Sequence, residues 1–270
     1  MGEPVDAPRF ASVREMRGGQ SHKCGESRPL YHSFAWAYDR VVAHPAGGDV
    51  GGMPRRMRSL GVPLDALVVD AGCGSGRYAH ALAQAGFRVI AVDRSAALIA
   101  QARASPSEAT FVCADLLSWK PSKRAGGVLC RGVLNELIAD SDRRAAFASL
   151  ASWLRTGGVL VADVRDWDAT VARYATQQRR DWPTGRAGRA LRLSSETRLE
   201  HGGQLMRVRE RYTGRVDNAT VDESDDFVMR CWTADELRRH AAEAGFACVD
   251  IQNGADAGIA QDRLSLVARR

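Results

Sequence analysis

Lysine is almost missing from this chain: of its 38 basic residues three are lysines and 35 are arginines, and the arginines are spread along the sequence. A net charge of +6 and a pI near 9.2 therefore read as Arg-rich solvated surface, not as the clustered basic face that a nucleic-acid partner requires. No C-x-x-C pair occurs among the six cysteines, Cys24, Cys73, Cys113, Cys130, Cys231 and Cys248. Four of them fall in or beside apolar strand patterns, so they read as small core residues in a reducing compartment. The six histidines lack a second ligand at i+3 or i+4 on a shared face, so no metal site is expected, and His240 reads as a helix-surface residue. No apolar run approaches the ~20 residues of a membrane span and no signal-peptide apolar region is seen, so the expected location is cytoplasmic, with no membrane partner. No nucleophile elbow is present, which fits a reaction that needs no covalent enzyme intermediate.

What is present is a dense signal from Ala66 to Asp93, ALVVDAGCGSGRYAHALAQAGFRVIAVD. Ala66 to Val69 is a β-branched run suited to a strand buried on both faces, and it stops at Asp70 and the glycines Gly72, Gly74 and Gly76. Ser75 to Ala85 are good helix formers, with Tyr78, Ala79, Leu82 and Ala85 on one face and Gly86 at a left-handed C-terminal cap. Phe87 to Val92 is a second strand, with Asp93 at its tip. In such a β-loop-α-β unit, glycines let a ligand lie against the backbone and the helix-opening N–H groups donate to it. An acid about 20 residues on accepts from ribose hydroxyls. A dinucleotide loop G-x-G-x-x-G would need a small third residue at position 77, which is Arg77.

The pattern that stands instead, D-x-G-x-G-x-G from Asp70, resembles the first motif of the class I S-adenosylmethionine-dependent methyltransferases. The resemblance implies S-adenosylmethionine as cofactor. It places Asp70, Gly72, Gly74 and Gly76 at the glycine loop, Asp93 and Arg94 after the second strand, and Asp115 and Leu116 after a third strand over Ala109 to Cys113. Asp115 is where the family's carboxylate accepts from the adenine amino group. Cys130 and Arg131 fall at the end of a fourth strand over Gly127 to Cys130. It further implies that a helix over Tyr31 to Val42 covers cofactor and substrate, with Tyr31 and Tyr38 facing the acceptor. Asn135 and Glu136, in RGVLNEL, are the polar candidates on the rim where open α/β sheets bind ligands. Neither [DN]-P-P-[YF] nor a Pro-Cys nucleophile occurs there, which argues against nucleic-acid base methylation.

Asp140 to Leu154 reads as a helix closed by a turn at Thr156, Gly157 and Gly158, and Val159 to Val164 as a fifth strand whose tip carries Arg165, Asp166, Trp167 and Asp168. The stretch VADVRDWDATVARYA resembles the corresponding segment of glycine and sarcosine N-methyltransferases, which implies that Arg165 grips an acceptor carboxylate while Trp167 walls the site. The alternative from the residues alone is that Arg165 pairs with Asp163, Asp166 or Asp168. Tyr38, Asn135 and Arg165 are the candidate catalytic residues, and Tyr31, Tyr38, Asn135, Arg165 and Trp167 the candidate acceptor contacts.

The expected architecture is α/β: a Rossmann-like, seven-stranded, mostly parallel sheet with helices on both faces and the last strand antiparallel. Residues 1–28 are a polar mobile segment, 29–188 and 232–270 the core, and 189–231 an alternating, β-rich lid. Thr233 and Glu236 predict a capping box for the helix to Ala244. The function this implies is methyl transfer to an amine or hydroxyl of a small molecule, by in-line displacement without a metal. The absence of a compelling catalytic histidine leans toward an amine or an acidic acceptor. The alternatives are an NAD(P)-dependent oxidoreductase, opposed by Arg77 and Asp115, and a cofactor-binding protein of this fold with a cyclase or regulatory role. The oligomeric state stays open between a monomer and a homo-oligomer.

Overall fold

A computed structural model describes residues 28–43, 48–175, 179–186 and 188–270. The expected 1–28 segment, Arg28 excepted, lies outside them. Seven strands form one sheet: β1 (Leu67–Ala71), β2 (Arg88–Asp93), β3 (Thr110–Cys113), β4 (Ala125–Arg131), β5 (Leu154–Arg165), β10 (Cys248–Asn253) and β11 (Arg263–Arg269). Their order is β10-β11-β5-β4-β1-β2-β3, and β11 runs antiparallel to both β5 and β10. The expected mostly parallel sheet with an antiparallel last strand is therefore observed.

Alternation along the central strands sends side chains to two cores. Val68, Leu129 and Val161 pack with Met57 of α1 (Met53–Ser59), Leu82 of α2 (Arg77–Gln84) and Ile99 of α3 (Ala96–Arg103). Val69, Val128 and Leu160 pack with Phe147 and Leu150 of α4 (Asp140–Trp153) and Leu237 of α6 (Ala234–Glu243). Each fully buried side chain of this kind contributes about 1.5–3 kcal/mol. Ser95 caps α3 by accepting from Leu98 N at 3.0 Å, and Thr233 and Glu236 form the reciprocal capping box of α6.

A second, four-stranded antiparallel sheet consists of β6 (Arg179–Arg186), β7 (Arg189–Glu200), β8 (Leu205–Val216) and β9 (Ala219–Arg230), in that order. It starts before residue 189 because β6, RRDWPTGR, is a strand despite Pro183 and Gly185. An edge position tolerates both. β9 runs over an acidic stretch whose charges are held across the ladder: Arg209 to Asp226 at 2.9 Å and Arg211 to Asp222 at 2.8 Å.

The helix expected over Tyr31 to Val42 is instead a chain of short turns, Pro29–Tyr31 and Ala35–Ala37 in 3₁₀ geometry and Asp39–Ala43 as a π turn. The segment serves two surfaces at once. Leu30, Phe34, Ala37 and Val41 pack on Leu191, Leu193 and Tyr212 of the small sheet, while Tyr31 and Tyr38 face the main one. The turn expected at Thr156 to Gly158 lies within β5 as an irregularity: pairing jumps from Ala125↔Leu154 to Gly127↔Val159, and Gly157 takes φ +73. Backbone bonds tie Gly157 and Gly158 to Arg270. His240 is not a surface residue; it is 1% exposed, lies 3.2 Å from Asp140 Oδ1, and packs on Phe147 and Trp232. Among the described cysteines Cys130 and Cys231 are core residues, whereas Cys113 and Cys248 are exposed at sheet edges.

Candidate active site

Between β1 and β4 the chain sends its crossovers in opposite directions, and there the C-terminal strand ends open onto a cavity of about 1550 Å³. This exceeds the roughly 300–1,000 Å³ of a single-ligand pocket and leaves room for two reactants. The glycine loop forms one end. Gly72 and Gly74 have φ of +73 and +55, and a Cβ at Gly72 would fall 2.0 Å from Val133 Cγ2, so neither position accepts a larger residue without movement. Asp93 holds the loop to the next helix: Oδ2 accepts from Gly74 N and Oδ1 from Ser95 N, each at 2.8 Å. A carboxylate offers about four acceptor sites, so two remain for a ligand.

Asp70 lies under this loop, 2% exposed, and its Oδ2 meets no partner among the described residues. Burial, followed by the charge of Asp93, raises its carboxyl to about 7. The hydroxyl of Tyr78 beside the loop is likewise buried and unpartnered. Unsatisfied buried polar atoms each cost about 1–3 kcal/mol, so this end is built for a polar, donor-bearing ligand. Asp115 is exposed at the tip of β3, one oxygen accepting from Leu117 N at 2.8 Å. It lines the cavity together with Leu116 and Arg94.

The other end is framed by shared carboxylates. Asp163 on β5 accepts from both Arg131 and Arg263, and Asp262 accepts from Arg165 at 2.7 Å and from Arg173. Burial opposes ionisation of Asp163, but Arg263 and Arg131 outweigh it and hold the carboxyl below its ordinary range. Glu136, in the 3₁₀ turn Leu134–Glu136, accepts from the Tyr31 hydroxyl and from Arg94, each at 2.6 Å. Tyr38 lines the cavity with its ring 5.9 Å from that of Tyr31, and burial raises its phenol, so the hydroxyl stays protonated at neutral pH. The roof is the inner face of the small sheet. Arg28 lines the cavity beneath it, its Nε donating to Glu210 at 2.7 Å and its guanidinium lying 4.5 Å from the Phe227 ring.

Several residues singled out in the sequence stand elsewhere than expected. Cys130 is fully buried in the sheet core and does not line the cavity. Trp167 is also off the cavity; it anchors α5 (Trp167–Tyr174) against Met206, Val208 and Cys231. Arg165 lines the cavity, yet its partner is Asp262, none of the nearby acids at 163, 166 and 168. Asn135 is 1% exposed, and its amide positions backbone: Oδ1 accepts from Arg165 N at 2.8 Å and Nδ2 donates to Gly132 O at 3.3 Å. Five cavity residues are not legible in the sequence: Arg28, Glu210 and Asp262, whose partners lie far along the chain, and Asp225 and Arg180, which only the register of the small sheet brings to the cavity. Only the inward alternation of Arg180 with Trp182 and of Ser195 with Thr197 was legible, once β6 and β7 are known to be strands.

Residues 68–158 match a family described as a methyltransferase domain. A protein of Geobacillus sp. (strain WCH70) that is named a methyltransferase is 25% identical over 232 residues, 82% of this chain and 90% of its own length. A trans-aconitate 2-methyltransferase of Azoarcus sp. (strain BH72) is 32% identical over 132 residues, 47% of this chain, and the match spans about half of that protein, 51%. Among solved structures, the sugar N-methyltransferase KedS8 of Streptoalloteichus superposes with a TM-score of 0.72 at 17% identity, covering 100% of this chain and 99% of its own. At that identity the likeness speaks to the fold.

Proposed function

We propose that this chain, a member of the class I S-adenosylmethionine-dependent methyltransferase superfamily, methylates an amine of a small molecule held between the glycine loop and the small sheet. The observation that carries this reading is one cavity joining the loop and the unpartnered Oδ2 of Asp70 to Asp225, a half-buried roof carboxylate with no hydrogen-bond or ion-pair partner among the described residues. Asp70, Gly72, Asp93 and Asp115 would hold the cofactor, Asp70 facing a cationic group and Asp93 the ribose. When bound, the cofactor supplies an electrophilic methyl group on a sulfonium. The chain's part is to orient the acceptor in line, an effect worth up to roughly 7–11 kcal/mol, and to take a proton.

Asp225 has the position and the affinity for that proton. Burial, then the neighbouring charge of Glu210, raises its carboxyl above the ordinary range. An ammonium presented to it loses a proton to a carboxylate oxygen, and the freed nitrogen lone pair becomes the nucleophile. We expect Asp225→Asn to leave binding of S-adenosylhomocysteine unchanged and to slow turnover at neutral pH by about ten-fold or more, with recovery at higher pH as the amine deprotonates in solution. Equal loss at every pH would point to a structural role. A second reading, methyl-ester formation on a carboxylate, is favoured by the arginine-rich wall and by the trans-aconitate relative. Turnover of ¹³C-methyl donor with a small-molecule extract distinguishes the two: proton-carbon spectra report N-methyl signals in the first case and methyl-ester signals in the second.

Asp70 also makes donor binding pH-dependent. Its folded carboxyl, near 7, lies above the unfolded value near 4, so the folded state binds the extra proton in that window and the ligand-free protein loses stability as pH rises from about 4 to 7. A cationic ligand group needs Asp70 ionised. S-adenosylhomocysteine is therefore expected to raise the melting temperature more at pH 8 than at pH 6, and Asp70→Asn to abolish the difference. A larger shift at pH 6 would contradict the role.

A further inference from the structure

The charges around the cavity are segregated. The wall from β4 and β5 through α5 to β11 and β6 carries Arg131, Arg165, Arg173, Arg180 and Arg263 against the two shared carboxylates Asp163 and Asp262. The acids Glu210, Asp225 and Asp226 lie on β8 and β9, where Glu210 is paired with Arg28 and Asp226 with Arg209, so the acid without a partner among the described residues is Asp225. Of the arginines on the cationic wall, Arg180 is the one whose Nε and Nη2 are both shut from solvent and meet no acceptor among the described residues. Its guanidinium carbon sits 5.6 Å from the Tyr174 ring and 5.9 Å from the Trp182 ring, so aromatic walls fix the plane of the group. Nε and Nη2 form one edge of the guanidinium, the fork that accepts a two-oxygen anion with parallel hydrogen bonds. Register supplies the rest: Arg180 is opposite Ser195, Ser195 opposite Glu210, and Glu210 opposite Asp225. These four residues form a row across the inner face of the roof, with Arg180 at one end and Asp225 at the other, beyond the Glu210 that Arg28 neutralises. Its backbone span is three strand spacings, roughly 14 Å.

From this we propose that Arg180 is the specificity-determining anion clamp of the site, and that the methyl acceptor carries an oxyanion, a carboxylate or a phosphate, at the end remote from Asp225. The assignment rests on the reading of the cavity as a donor and acceptor site. It moves the clamp from Arg165, whose guanidinium is held by Asp262, to a strand of the roof. A buried guanidinium edge without an acceptor is costly in the ligand-free protein, and an oxyanion seated on it relieves that cost while Ser195 and Thr197, also lining the cavity, supply further donors.

The test uses the full chain saturated with S-adenosylhomocysteine and follows tryptophan fluorescence, because Trp182 packs beside the clamp. Succinate is titrated in one arm and inorganic phosphate in the other, at fixed ionic strength maintained with chloride. Saturable quenching by at least one probe is expected, and the tighter of the two identifies carboxylate or phosphate. Arg180→Met should weaken that binding at least ten-fold and Arg180→Lys several-fold, with the melting temperature and S-adenosylhomocysteine affinity close to the parent's. No saturable binding of either anion to the parent overturns the proposal. So does anion binding that survives Arg180→Met, or that is lost in Arg165→Met instead. If the parent binds the anions through Arg180 but does not bind S-adenosylhomocysteine, the clamp stands and the methyltransferase reading fails.

Discussion

Replacing Asp93 by alanine should reduce the affinity for S-adenosylhomocysteine by about a hundred-fold or more. Two ribose hydroxyls donating to an ionised carboxylate are worth about 1.5–3 kcal/mol each, and about 1.4 kcal/mol is a decade of affinity. The same carboxylate accepts from Gly74 N and Ser95 N, so the variant also releases the glycine loop from the start of α3. Two partly buried backbone donors then go unmet, at about 1–3 kcal/mol each, and the melting temperature should fall by several degrees even without ligand. Asp93→Asn keeps one acceptor oxygen and should lie between the two. Calorimetry and thermal melts check both numbers; parent-like affinity in Asp93→Ala would remove Asp93 from the ribose role.

The largest loss of stability is expected from Asp163→Ala. Asp163 is 2% exposed and receives Arg131, Arg263 and the Gly132 N–H, the last at 3.1 Å. Its removal leaves two buried guanidiniums facing each other, where breaking even one buried pair typically costs about 3–5 kcal/mol. Against a total stability of about 5–15 kcal/mol, the variant should be largely unfolded or insoluble at 37 °C. The sign with pH follows from the lowered carboxyl: the contribution is present above the unfolded value near 4 and is lost as pH falls through the folded one. The parent should therefore unfold in acid and Asp163→Asn should show a weaker acid transition. A well-folded Asp163→Ala with a parent-like melt would mean that the arginine frame contributes little.

The main sheet was legible because its evidence is local. β1, the loop and β2 fit within 28 consecutive residues, where periodicity, glycines and a terminal acid agree. The capping box of α6 and the antiparallel last strand followed similarly. The acceptor end was not legible because its geometry depends on residues brought together from afar: Arg28 and Glu210 are 182 positions apart, and Arg165 and Asp262 are 97 apart. Arg165 illustrates the limit, since a strand-tip arginine beside three acids gave no sign that a fourth, before the last strand, would hold it. Arg180 was hidden for a different reason. Pro183 and Gly185 disguise β6, so its inward alternation could not be read until the strand was known. Trp167 shows the converse, an aromatic at the expected place in sequence whose helix turns it onto the small sheet instead of the cavity.

The glycine loop holds an S-adenosyl cofactor and not a nicotinamide dinucleotide. Titrating the full chain in parallel with S-adenosylhomocysteine and with NADH, by calorimetry at pH 8, tests it directly. Stoichiometric binding of S-adenosylhomocysteine that is lost in Asp93→Ala, with NADH at least a hundred-fold weaker, is the expected result; tighter binding of NADH would contradict the account.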